Sequence, residues 1–297
     1  SSWQYHVRTP RKATTATFGG WGLVVGKEVQ AYLYDSAIVD RLYIYPSAYF
    51  CHSTGVERFV DGTIYAVNPS NLSGYIYVVG RDGATFDIRS EIRGYANIRF
   101  STQQNFFGYG NPTFILGGTN TAYSGQFLIT NEKKVEPYHT TVVIADGRSM
   151  GGAMAENTYN GVQLQNRSVL RVTASTEIAE PTRGWHLLGY NTIQVANGND
   201  EVKLSSPLTM SGELVKDGPG TLALGGGCRF TAEQSDVPIA GTNKLTVAAG
   251  RVKPLAKGSF DGLAISFAAG TGLALALPDE ADEDVAAFGL VDVKWAT

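Results

Sequence analysis

Gly147-Arg148-Ser149-Met150-Gly151 has the spacing of a nucleophile elbow, in which a serine on a tight strand-to-helix turn projects its hydroxyl for acyl transfer. The apolar run Thr141 to Ala145 precedes it, and His186 and Asp200 would supply a base and an orienting carboxylate. Such a serine must be followed directly by a helix. Gly151-Gly152 opposes one, because glycine is a poor helix former. The segment is therefore read as a corner between strands. His6, His52, His139 and His186 stand apart from one another, and no metal-ligand spacing joins them to a cysteine or a glutamate. Asp279, Glu280, Asp282, Glu283 and Asp284 lack the glycine and spaced oxygens of a calcium loop and read as a solvated acidic loop. Glycan cleavage needs two or three convergent acidic groups or a basic cluster. No short motif supplies either, and Arg8-Thr9-Pro10-Arg11 completes only part of an Arg-x-Pro-x-x-Arg pattern. Gly20 to Lys27 is not a phosphate loop: its first glycine is displaced and Glu28 replaces the hydroxyl residue. No catalytic residue, cofactor or metal ligand is assigned.

Binding chemistry has one candidate. Tyr32, Tyr34, Tyr43, Tyr45 and Tyr49 crowd into a short segment, followed by Tyr65, Tyr75, Tyr77 and Tyr95. On an outer sheet they would offer an aromatic strip to sugar rings or to another protein. The alternative is that tyrosine, a good strand residue, stacks across neighbouring strands.

The elements that must position these residues are strands. Of 297 residues, 35 are glycine, 15 tyrosine and 13 phenylalanine, and only 17% are charged. The chain is too apolar for disorder. Its net charge of −3 opposes nucleic-acid binding by bulk charge. Helical periodicity is nearly absent, whereas short period-two runs such as Leu273, Leu275 and Leu277 are common. Asp61-Gly62, Asp82-Gly83, Asp146-Gly147 and Asp217-Gly218 punctuate them as turns. The pattern is all-β. No uncharged stretch suits a membrane-spanning helix: Gly262 to Pro278 is short, and Ser101 to Asn131 is too polar.

Repeats choose the architecture. An apolar-x-apolar-Ala-x-Gly unit ends at Gly147, Gly198, Gly250 and Gly270. The first two steps are roughly 50 residues and the last roughly 20, the size of one solenoid coil. Gly110 to Gly118 matches Gly218 to Gly226, and a looser copy begins at Gly62-Thr63-Ile64-Tyr65. After Thr63 and Thr113 come Ser73-Gly74-Tyr75-Ile76 and Ser124-Gly125-Gln126-Phe127. Stacked coils bury a core that no single coil can bury. At ~20 to 25 residues per coil and ~4.8 Å between strands, the chain would form roughly 12 to 14 coils, a rod on the order of 60 Å long. A propeller would repeat evenly at ~40 to 50 residues, and the final short step opposes it.

Leu208 to Gly226 closely resembles the β-strand repeat associated with autotransporter passenger domains, with Gly212, Leu214, Lys216, Gly218, Gly220, Thr221, Leu222, Leu224 and Gly226 on its pattern. Pro112 to Gly118 with Ala122 to Gly125 resembles the latter part of another copy. Asp146 to Gly152, Asn166 to Leu170 and Thr182-Arg183-Gly184 resemble the run-in to that repeat in large secreted bacterial proteins. The resemblance runs from about residue 141 to 277 and thins from 61 to 130. It implies a right-handed parallel β-helix, exported and displayed extracellularly at a bacterial surface, with no catalytic activity attached, since the repeat is scaffold.

The expected organisation is one β-solenoid over 1–297, a piece of a larger exported chain. Residues 1–60 are N-terminal coils, 61–277 repeat-bearing coils, and 278–297 an acidic loop with a terminal strand. The expected function is a non-enzymatic adhesin-like stalk that presents an interaction surface to a surface glycan, a protein or copies of itself. It would bind no nucleic acid and insert no segment into a membrane. The alternatives are a carbohydrate-binding or carbohydrate-cleaving β-helix and a subunit of an extracellular filament. Cys51 and Cys228 would lie several coils apart in a solenoid and could be bridged only in a more compact fold.

Overall fold

The computed structural model of the chain describes residues 5–8, 15–18, 22–52, 56–69, 71–102, 109–225, 228–229, 243–256, 259–274 and 293–295. The described residues form a parallel β-helix. Every pairing among the described strands is parallel, and each strand pairs with an equivalent strand of an adjacent coil.

Three faces wrap one core. On the first, the inward column runs Ala31, Phe50, Val78, Phe100, Ile129, Leu164, Leu187, Met210, each in register with the next. On the second it runs Phe86, Phe114, Val142, Leu170, Ile193, Lys216, Val247, Phe267. The third begins Leu23, Leu42, Ile64, Ile92 and resumes as Val202, Leu222, Val252, Leu273. With period-two strands, alternate residues face inward, so stacking places like beside like. Phe50, Phe86, Phe100, Phe114 and Phe127 interleave in this core with ring centroids 5.2–6.4 Å apart. Each such burial is worth about 1.5–3 kcal/mol.

The second face holds roughly twelve rungs, about 53 Å between its outermost strands at ~4.8 Å per rung, from Thr15–Phe18 to Val293–Trp295. The described strands within residues 1–60 join the same ladders, so the stack includes them. Coil length varies more than the sequence repeat suggests. Trp185 reaches Leu208 and Val247 reaches Phe267 within one expected coil, but Phe127 must pass the turn at Gly147–Met150 before meeting Val162.

All four apolar-x-apolar-Ala-x-Gly units lie on the second face. Val142 stacks through Leu170 to Ile193, then through Lys216 to Val247 and on to Phe267. Each long step is therefore two coils and the short one a single coil. The other repeat divides differently: Thr113–Leu116 lies on the second face and Thr221–Leu224 on the third.

The third face is broken in mid-stack. Between Glu91–Gly94 and Thr176–Ile178, its strand is replaced by a lone bridge, Gly94 to Tyr123, and then by a 3-10 turn, Gly147–Met150. The Gly147 N–H donates to Thr176 Oγ1, which ties this turn to the coil above.

Candidate functional site

The tyrosines separate onto different faces. Tyr43 stacks on Tyr65 on the third face, with centroids 4.8 Å apart and planes at 17°. Tyr49 stacks on Tyr77 on the first, at 4.7 Å and 13°. Tyr32 is also on the first face; its hydroxyl donates to Gln30 Oε1, and its ring lies 6.4 Å from that of Tyr34. Tyr45 occupies the corner between the third and first faces, its N–H on the Val25 carbonyl. Arginines extend both columns. Arg93 follows Tyr65 in register, and Arg99 lies 5.8 Å from the Tyr77 ring while pairing with Glu132 at 3.0 Å.

This geometry decides what the rings can do. A sugar stacks on a free aromatic face, but within these pairs the facing surfaces are spent on the neighbouring rung. The five tyrosines do not make one continuous platform, and the stacking across rungs is the structural alternative raised by the sequence.

The repeat Leu208 to Gly226 is one coil. Its first strand, Leu208–Asp217, passes from the first face to the second at Gly212. A turn at Gly218 and Gly220 then leads to Thr221–Leu224 on the third. Gly226 lies outside the described residues. Gly212 has φ +139°, and a Cβ there would sit 2.3 Å from the Gly189 carbonyl oxygen. Leu214, Leu222 and Leu224 fill the core. Thr221 is half-buried, its N–H on the Asp200 carbonyl.

Lys216 is fully buried in an otherwise apolar column. Its Nζ donates to the carbonyls of Asp217, Gly218 and Ala249 at 2.7–2.9 Å. A lysine thus ties two consecutive corners together. Burial draws its pKa down to about 8, opposed by the neighbouring Asp217 charge.

The elbow-like segment is a corner. Asp146 caps the 3-10 turn by accepting from the Arg148 N–H, Ser149 is 1% exposed, and Asn120 Nδ2 donates to the Ser149 carbonyl. His186 packs against the Tyr159 ring on the first face, its pKa lowered by burial. Asp200 accepts from Ser175 and Asn197 near the start of a third-face strand, which lowers its pKa. Ser149, His186 and Asp200 lie at three separate places in the stack: in the 3-10 turn, on the first face and beside the start of a third-face strand.

His52 is buried beside Phe86, and His139 Nδ1 is 3.2 Å from the Pro137 carbonyl. Among the described residues, no three His, Cys, Asp or Glu side chains form a group that could hold a metal. Lys27 and Glu28 form a turn, with Glu28 at φ +64°. The acidic residues 279–284, and the side chains of His6 and Cys228, lie outside the described residues.

One buried cation was visible to the sequence reading only within the run-in Thr182-Arg183-Gly184. The Arg183 guanidinium, 1% exposed, donates to the carbonyls of Tyr123, Gly125, Gly152 and Gly161 and packs 5.5 Å from the Tyr123 ring. It stitches coils together beside the break in the third face. No single-residue pattern announces such a role, because its partners are backbone carbonyls from distant coils. No protein-family model, no curated protein and no solved structure matches this chain.

Proposed function

We propose that this chain is a non-enzymatic, rigid β-helical segment of an extracellular bacterial surface protein, an adhesin-like stalk that holds an interaction surface at a fixed place along a rod. The observation that supports it best is the continuity of the second face from Thr15–Phe18 to Val293–Trp295. Continuous ladders resist bending because each coil is bonded to both neighbours. The likeness of Leu208 to Gly226 to the autotransporter-associated repeat supports the surface location, and that stretch makes one whole coil. Antibodies raised against the chain should label intact, unpermeabilised cells of its natural source. Labelling confined to permeabilised cells would reject the surface assignment. Incubation with a glycan panel should leave every glycosidic bond intact, and cleavage would reject the non-enzymatic assignment.

A further inference from the structure

The charges on the outward side of the second face are ordered. Leu170, Ile193 and Lys216 point into the core, so the residues on either side of each point out. Three successive rungs therefore present Arg167, Val169 and Arg171, then Tyr190, Thr192 and Gln194, then Glu213, Val215 and Asp217, column on column in register. The first rung is cationic, the second neutral and the third anionic. Arg171 is exposed and has no ion-pair partner among the described residues, and the Asp217 carboxylate accepts from Gln194 Nε2. Arg167 holds Glu136, and Glu213 holds Lys244 at 3.2 Å. Both are surface pairs, which are worth little and can be shared.

The flanks of this triplet differ in size. On the N-terminal side the column of Arg171 continues through Val143 and Ile115. On the C-terminal side the column of Asp217 continues through Ala248 and Ala268, both exposed. The adjoining column carries Thr141 and Thr113 on one side and Thr246 and Ser266 on the other.

This order is self-complementary. A two-fold axis along the Tyr190–Gln194 rung, relating two antiparallel copies face to face, sets Arg171 against Asp217 of the second copy and Arg167 against its Glu213. Val143 then meets its Ala248, and Ile115 its Ala268. Each contact occurs twice, as an isologous interface requires, and in the three central rungs no charge meets its like. Sheets packed face to face lie about 10 Å apart, a gap that an arginine and an aspartate span together. The stretch from the rung of Ile115 to that of Ala268 measures roughly 34 by 20 Å. Covering it would bury about 1,300 Å² over both copies, within the range of specific interfaces. Another partner would have to reproduce the cation–neutral–anion order by coincidence, whereas a second copy already carries it.

We propose that the second face is the interface of an antiparallel dimer of this chain, with Gln194 of each copy on the two-fold axis. The dimer goes beyond the stalk reading and does not depend on where the chain works.

The test is sedimentation velocity on the full 297-residue chain. The chain should dimerise with a dissociation constant of roughly 100 µM or tighter. Arg171→Asp sets like charges across the axis and should weaken the dimer at least about tenfold. Adding Asp217→Arg to the same chain restores opposite charges and should return the affinity to within about threefold of the parent. Circular dichroism checks that both variants stay folded. Orientation is read by cross-linking in a Cys51→Ala, Cys228→Ser background. A short bismaleimide should join two copies at Gln194→Cys and should leave Lys203→Cys, on the third face, unlinked. A chain that stays monomeric, a dimer indifferent to Arg171→Asp, a charge swap as weak as the single variant, or no link at Gln194→Cys would each overturn the proposal. None of these outcomes bears on surface display or glycan cleavage, which the antibody and glycan experiments decide separately.

Discussion

Lys216 stands where neighbouring coils place Ile193 and Val247. Folding lowers its pKa from the ordinary ~10.4 to about 8 by burial. Between those values the unfolded chain holds more protons, so this site's contribution to stability rises with pH, by roughly 1–2 kcal/mol after solvent screening. Lys216→Met removes three donors from corner carbonyls and also removes the buried charge. In urea unfolding, the variant should lose more stability relative to the parent at pH 10 than at pH 7, and parallel profiles at the two pH values would reject the titration. Cys51 gives a second residue-scale outcome. It is fully buried, and burial pushes its thiol pKa well above the ordinary range. In a Cys228→Ser background, a thiol reagent should modify native Cys51 at least roughly a hundredfold more slowly than the unfolded chain. Comparable rates would mean that this part of the first face opens readily. At this scale the sequence marks Lys216 by its place in a repeat. It does not reveal that the ammonium points inward, because a lysine in a period-two strand more often faces water.

Corners are where the strands acquire three faces. Gly212 and Gly270 both have positive φ, but a Cβ at Gly212 meets the Gly189 carbonyl oxygen at 2.3 Å, whereas one at Gly270 meets nothing within 4 Å. Gly270→Ala should therefore cost only the backbone term, about 1 kcal/mol. Gly212→Ala adds a clash with the coil below and should cost about 2 kcal/mol or more. Thermal unfolding of the two variants side by side checks the difference, and equal losses would show that the coils can separate at that bend. The same physics explains how far the repeats could be read. Apolar-x-apolar-Ala-x-Gly specifies an inward-facing strand followed by a corner, and all four copies share the second face. Thr113–Leu116 and Thr221–Leu224 use similar residues on different faces. A strand pattern records alternation, whereas the face it joins depends on how much chain separates it from the preceding corner. For the same reason the tyrosine cluster, continuous in sequence, divides between the first and third faces. The break in the third face escapes sequence reading as well, because it results from a strand replaced by the short turn Gly147–Met150, with Gly151 and Gly152 directly after it.

At the scale of the whole molecule, the argument rests on distance. Parallel stacking fixes the separation of two residues by the number of rungs between them and their register along the strands, whatever the loops do. Ile38 and Ala264 are exposed residues on the second face, separated by roughly nine rungs, about 43 Å at ~4.8 Å each, and offset by roughly six residues, about 20 Å, along the strands. Cysteines placed at both sites, in a background with Cys51→Ala and Cys228→Ser, carry spin labels without entering the core. With the labelled chain diluted in unlabelled chain, electron-electron dipolar spectroscopy should give one distribution centred near ~47 Å, the combination of the axial and lateral separations. Because each coil contacts only its neighbours, a flexible or partly unstacked rod would broaden that distribution, and a folded-back chain would shorten it. A narrow peak would also fix the height of the Gly147–Met150 turn on the rod, since its coil lies between the two labels.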